Sequence, residues 1–324
     1  MSLELLNEKL NDSRVHVVIA CAPSSRVALG EGFGFPPGTN VEGKMVAALR
    51  KLGFNRVFDL NVGADFTVVE EAAELAQRLK MNAPRPMFTS CCPMWVNYLE
   101  QKHPNLVPYL STTKSPQQIF GALTKTYYAD KVNIPPENIF LVTLMPCVLK
   151  GQEAKRHGHV DLVVTVKQMI EVITSAKINF AALPDEEFDN PLGPSSGAGA
   201  KFGFSGGVAG AVVKTLQAAH NIKNPRTFAI SGIANVEKFL QEQVLAGPCN
   251  FDLVEVMGCP GGCVGGAGMP AIRNLNERTC AICQKADNCK VPASHESPIV
   301  KQVYKEFLGS PNSNLARKLL HTPI

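Results

Sequence analysis

The sequence predicts an α/β protein of two lobes, each a mainly parallel twisted sheet flanked by helices. Three observations lead there. Short apolar, β-branched runs alternate with stretches whose apolar residues recur at helical spacing, the pattern of a parallel sheet with crossover helices. The 324 residues are 45% hydrophobic, enough for more than one core. Several apolar runs end in cysteine, at the position where open α/β sheets place their ligands.

The elements follow in order. "VHVVIACA" (15–22), "RVFDL" (56–60), "RPMFTSC" (85–91) and "IFLVTLMPC" (139–147) read as strands ending in turn chemistry. "GKMVAALRKLG" (43–53) and "VVEEAAELAQRLKM" (68–81) carry good helix formers and a helical apolar stripe. A second series brings the strands "HVDLVVTV" (159–166), "RTFAISGIA" (226–234) and "FDLVEVMGC" (251–259). With them come the helices "KQMIEVITSA" (167–176) and "AGAVVKTLQAAHN" (209–221). The stretch from Leu183 to Gly207 is rich in Pro, Gly, Ser and Asp and reads as a long functional loop. These readings predict a left lobe over 1–156, an abbreviated right lobe over 157–296, and a helical tail over 297–324 packing on the lobes.

A net charge of +4 and a pI near 8.5 do not argue for nucleic acid, but they permit docking to an acidic protein. No stretch approaches a membrane span. Residues 1–20 carry acidic side chains and no long apolar run before a cleavage site, so no secretory leader is expected. The ten cysteines then belong to a reduced compartment, the cytoplasm, with a hydrogenosome or other organelle left open. They are either buried free thiols or metal-binding thiolates.

Their placement is the informative feature. Cys91 and Cys92 follow one predicted strand, Cys147 another, and Cys259 a third, where it opens "CPGGC" ending at Cys263. Adjacent residues on an extended segment point to opposite sides, so Cys91 and Cys92 are expected to differ in task. Four thiolates are the usual ligand set of a cubane iron–sulfur cluster, and Cys92, Cys147, Cys259 and Cys263 could supply them. The same residues also fit a zinc site, and "CPGGC" alone fits a tight turn with ordinary core cysteines.

Taken together, "TSCCPMW" (89–95), "MPCVLKGQE" (145–153) and "EVMGCPGGCVGGAGMP" (255–270) resemble, in order, the three motifs of the [FeFe]-hydrogenase catalytic domain. "STTKSPQQ" (111–118), "SSGAGAKFGFSGGV" (195–208) and "SHESPIVKQVYKEFLGSP" (294–311) also resemble that family. The resemblance implies an H-cluster between the lobes: a [4Fe-4S] cubane joined through one cysteine to a diiron centre with CO, cyanide and azadithiolate. It implies Cys92, Cys147, Cys259 and Cys263 as cubane ligands, with Cys263 as the bridge. Cys91 would move protons, and a chain of carboxylates, a serine and an arginine, here Glu71, Glu74, Ser111 and Arg78, would carry them outward. Lys150 would donate to one cyanide, and Pro23 and Ser24 would meet the other. Met145, Met257 and Phe202 would line the pocket. Without the resemblance, Glu71, Glu74 and Arg78, at i, i+3 and i+7, read as a solvated helix face.

The resemblance also implies reversible reduction of protons to H2. Ferredoxin or another iron–sulfur carrier would be the electron partner, and maturation proteins would supply the diiron unit. The chain looks like a compact, ultraminimal form without ferredoxin-like modules, so electrons would enter the cubane directly. The right lobe looks pared down, which predicts an open sheet edge suited to a homodimer or partner-subunit contact. Two other readings share the fold: a NARF-like iron–sulfur cluster assembly protein and a hydrogen sensor. Both typically lack the thiol that stands here as Cys91. Cys21, Cys249, Cys280, Cys283 and Cys289 have no place in the shared motifs.

Overall fold

The computed structural model describes residues 2–81, 83–270 and 275–322. Among these residues seven strands form two sheets, both parallel throughout. The first has the order β2 (Arg56–Asp59), β1 (His16–Cys21), β4 (Ile139–Met145), β5 (Leu162–Thr165). The second has the order β3 (Met87–Phe88), β7 (Leu253–Met257), β6 (Thr227–Ser231).

Parallel strands covered on both faces read as unbroken apolar runs, and β1 shows why. Val18 and Ala20 enter one core with Phe58 and Phe120, while Val17, Ile19 and Cys21 enter another with Val57 and Leu49. The register sets Ile19 beside both Val57 and Val142. Each such side chain, once buried, contributes about 1.5–3 kcal/mol.

The helix expected over 68–81 runs from Asn61 to Lys80, and every residue from Asn61 to Ala76 is buried. Its first turns, "NVGADFT", are weak helix formers. Burial against the helices Pro116–Leu123 and Gly207–His220 overrides that preference. Gly63 permits the first contact, since a Cβ there would meet the Pro116 carbonyl oxygen at 2.3 Å. The long helix is therefore interior to the molecule, and its carboxylates are not a solvated face.

The division expected at residue 156 does not separate the sheets. β3, placed with the left lobe, pairs with β7: Met87 stands beside Leu253, and the Thr89 N–H donates to the Val254 carbonyl at 3.1 Å. β5, placed with the right lobe, continues the first sheet beside β4 through the helix Lys150–His157. A strand followed by one short helix returns most simply to its own sheet, which makes β4 and β5 neighbours. The tail behaves as an integral part of the first core, through Val303, Leu308, Ala316 and Leu320. β6 lies at the edge of its sheet, half-buried except at the exposed Phe228, which stacks on Phe239 and Phe251.

Candidate functional site

Residues that follow β1, β2 and β4 of the first sheet and β3 and β7 of the second line one cavity of about 270 Å³. All four candidate cubane cysteines, Cys92, Cys147, Cys259 and Cys263, line it, and so does Cys91. Pro23, Ser24, Met145, Lys150, Met257 and Phe202 complete the set expected around the pocket.

Local structure explains how each thiol arrives. β3 ends at Phe88, so strand alternation does not extend to the paired cysteines. Cys92 caps the helix Pro93–Lys102, and Pro93 takes the first helical position, where the missing N–H costs nothing. Cys91 and Cys92 therefore both reach the cavity, contrary to the opposed directions expected of an extended pair. Their environments still differ. Cys91 is buried among Ala64, Phe202 and Met257, whereas Cys92 is half-buried and accepts the Gly258 N–H at 3.3 Å.

Cys259 and Cys263 bracket a turn that only glycine allows. Gly262 has φ of +94°, and a Cβ there would lie 2.7 Å from the Ser205 nitrogen. Gly266 lets the same segment close on "MPC", since its Cβ would meet the Pro146 carbonyl oxygen at 2.3 Å. The two cysteine-bearing segments thus touch through backbone.

Burial sets the charge state of the thiols. Burial raises the Cys147 thiol, pushes Cys259 up to about 11 and Cys263 higher still, and the neighbouring sulfurs add to each shift. Without a metal the thiols stay protonated; iron would displace those protons. Among the described residues no three His, Cys, Asp or Glu side chains converge on a point suited to one ion. The thiols surround a volume, so the donor set fits a multi-atom cluster. Ser24 adds a second sign of fit. Its hydroxyl oxygen is buried with no hydrogen-bond partner among the described residues, and the residue lines the cavity.

Lys150 is buried, and its Nζ donates to the Cys91 carbonyl at 2.9 Å and to both Glu153 oxygens at 2.9 Å. Burial alone would lower its pKa; the Glu153 carboxylate reverses the shift and keeps the ammonium charged. Glu153 escaped the sequence reading, although its i, i+3 spacing from Lys150 signals the pair. Gln117 was also missed. It lines the cavity and donates to the Lys150 carbonyl at 3.1 Å and Glu153 at 3.1 Å. Nothing in its sequence context announces it beyond membership in "STTKSPQQ".

Of the proton-path candidates, Cys91 lines the cavity and Glu71, Glu74, Ser111 and Arg78 do not. Burial raises the Cys91 thiol well above its ordinary value, and the nearby Glu71 carboxylate adds to the effect. Glu71 is itself fully buried, with no hydrogen-bond partner for either oxygen among the described residues. Burial, then Glu74 and Glu255, raise its pKa to about 8. Further out, the Ser111 hydroxyl donates to Glu74 at 2.8 Å. Arg78 pairs with Glu74 at 2.7 Å and donates to the Leu110 carbonyl at 2.6 Å. Burial falls from Glu71, fully buried, through Ser111 and Glu74, still buried, to Arg78, half-buried.

Cys280 and Cys283 sit on the helix Leu275–Asp287, away from this cavity, and Cys289 follows it. Cys289 donates to the Ser195 carbonyl at 3.6 Å.

Two parallel sheets that gather cysteines at their strand ends define a domain suited to holding an iron–sulfur cluster. The model of the iron-only hydrogenase large subunit, C-terminal domain, matches residues 15–267, and that of the iron hydrogenase small subunit matches residues 272–323. The chain belongs to the iron-only hydrogenase family. Over 98% of its length it is 38% identical to the NADP-reducing hydrogenase subunit HndD of Solidesulfovibrio fructosivorans and 37% identical to iron hydrogenase 1 of Clostridium pasteurianum. It spans only 61% and 62% of those two relatives. It is also 30% identical to the cytosolic Fe-S cluster assembly factor narfl of Danio rerio, over 94% of this chain and 85% of that protein. Among solved structures, variants of the [FeFe]-hydrogenase HydA1 from Chlamydomonas reinhardtii superpose with a TM-score of 0.84 at 30% identity. That match covers 99% of this chain and 98% of the other.

Proposed function

We propose that the protein is an [FeFe]-hydrogenase that catalyses the reversible reduction of protons to H2. Ferredoxin or a similar iron–sulfur carrier would deliver the electrons. The observation that carries this reading is the position of Cys91, a buried thiol between the cysteine-lined cavity and the buried carboxyl of Glu71. Cys92, Cys147, Cys259 and Cys263 would hold the cubane of an H-cluster, with Cys263 as the bridge to its diiron part. When bound, that group would relay the carrier's electrons and supply the iron chemistry at which H2 is formed or split.

The chain's own residues do the rest. Lys150, kept charged by Glu153, presents an ammonium to an anionic ligand in the cavity, and Ser24 presents a free hydroxyl. Met145, Met257 and Phe202 exclude water with soft, apolar surface. Cys91 Sγ accepts or releases the proton at the cavity. Glu71, with its pKa raised to about 8, can release a proton from one oxygen as it takes up another on its second, so no buried charge persists. Ser111 and Glu74 continue the path toward Arg78. Maturation proteins would install the diiron part, and the setting would be the cytoplasm. Among the described residues no helix is long and apolar enough to cross a membrane.

The test is reconstitution of the cubane followed by insertion of a synthetic diiron complex. The loaded protein should show CO and cyanide infrared bands and evolve H2 with reduced ferredoxin; bands without turnover would refute the enzyme reading. Cys91→Ala should keep the bands and lose activity by roughly 100-fold or more. The likeness to narfl favours a second reading, an iron–sulfur assembly factor. That reading expects a stable cubane, no productive diiron site, and no effect of Cys91→Ala.

A further inference from the structure

The C-terminal segment reaches the proton path. Thr113 and His321 form an antiparallel bridge. The Thr322 N–H donates to the Thr112 carbonyl at 2.7 Å, and the Lys114 N–H donates to the Leu320 carbonyl at 2.8 Å. His321 is buried. Its Nδ1 lies 2.7 Å from the Thr112 hydroxyl and its Nε2 lies 3.1 Å from Glu70 Oε2.

Glu70 is anchored in turn. It accepts the Tyr304 hydroxyl at 2.5 Å and the Asn312 N–H at 2.8 Å. All of these partners lie in the segment similar to the small subunit. Successive helical residues point about 100° apart, so Glu70 can serve the tail while Glu71 serves Cys91. On its other side, Thr112 donates its backbone N–H to Glu74 Oε1 and Oε2 at 3.1 and 3.0 Å. The Ser111 hydroxyl reaches the same carboxylate.

We propose that His321 is a positioning residue for proton exit: anchored on Glu70, its imidazole holds Thr112 so that the Thr112 N–H and the Ser111 hydroxyl converge on Glu74. This rests on the hydrogenase reading above. The physical case is one of register. The stretch 111–113 belongs to no strand and is held by Ser111 N–H on the Phe88 carbonyl, by Glu74, and by the tail. Proton transfer needs donor and acceptor within hydrogen-bond reach, and small misplacements cost rate steeply. A carboxylate fixed by a backbone N–H keeps its second lone pairs aimed at the serine.

Three variants test it: His321→Ala, Thr112→Val and His321→Asn. The first readout is amide hydrogen exchange across 111–113 in the cofactor-free protein. His321→Ala and Thr112→Val should speed exchange at Thr112 by at least about tenfold. After loading, both should lower kcat for H2 evolution on the order of tenfold, with the electron donor's KM and the infrared bands unchanged. His321→Asn should restore both readouts, because its side-chain amide replaces Nδ1. Parent-like exchange or parent-like kcat in His321→Ala would overturn the proposal. So would loss of the infrared bands in step with activity, which would assign His321 to folding alone. If the parent itself loads and does not turn over, the hydrogenase reading falls instead, and the exchange arm still decides whether His321 holds Thr112.

Discussion

Glu71 and Glu255 show how much a hydrogen bond matters to a buried carboxylate. Glu255, on β7, accepts the N–H groups of Gly206 at 2.7 Å and Ala209 at 2.8 Å, at the start of the helix Gly207–His220. Burial raises it, but those donors hold it to about 6. Burial, reinforced by the Glu74 and Glu255 carboxylates, raises Glu71 from 4.5 to about 8, and Ser111 and the Ser90 backbone offset only part of that rise. The folded protein therefore retains a proton that the unfolded chain releases between those values. The stability this proton contributes is complete below about pH 4.5 and is lost as pH rises through 8. Glu71→Gln removes the charge at constant shape. It should stabilise the cofactor-free protein at pH 9 by on the order of 5 kcal/mol, with little effect at pH 4, measured by urea unfolding. An effect independent of pH would show that Glu71 is already ionised in the fold.

At the scale of single elements, the "CPGGC" turn is the most constrained. Gly262 combines a left-handed φ with backbone atoms inside 3 Å of any added Cβ. Gly262→Ala should cost roughly 1–3 kcal/mol of local strain and displace Cys263 from the other thiols. Iron bound after reconstitution should fall well below the parent's, and an unchanged iron content would show that the turn relaxes without moving the cysteine. Elements of this kind were legible because glycines and cysteines at short spacing leave a pattern. The strands were legible too, from their β-branched runs. The start of the long helix was not, because "NVGADFT" argues against helix and only tertiary burial makes it one. β3 was expected over seven residues and survives as two, since Cys92 already caps a helix.

Across the whole molecule, the sequence did not reveal how the segments are shared between sheets. β3 and β5 exchange places relative to chain order, and no local signal records which distant strand a short run will join. Arg278 and His321 were invisible for a related reason, being single polar residues in helical surroundings whose partners lie far away in sequence. Arg278 is fully buried. It grips both oxygens of Glu31 at 2.7 Å and the Val264 carbonyl at 2.8 Å, one residue past Cys263. The small-subunit-like segment is thereby pinned to the cysteine turn at one end and to Thr112 at the other. Arg278→Leu leaves the Glu31 carboxylate without this cation and should cost about 3–5 kcal/mol in denaturant unfolding. Arg278→Leu with Glu31→Gln should cost less than the two changes added, because they share one contact.

The pairing of β3 with β7 also bears on the order of events while the polypeptide is being made. Met87–Phe88 has no neighbouring strand until Leu253–Met257 emerges from the ribosome, long after Cys91 and Cys92. Cys259 and Cys263 emerge with that same late segment. A nascent chain therefore cannot close the thiol cage around a stray ion early in synthesis. The cage assembles only once Cys263 has been made, so metal loading follows the synthesis of both sheets.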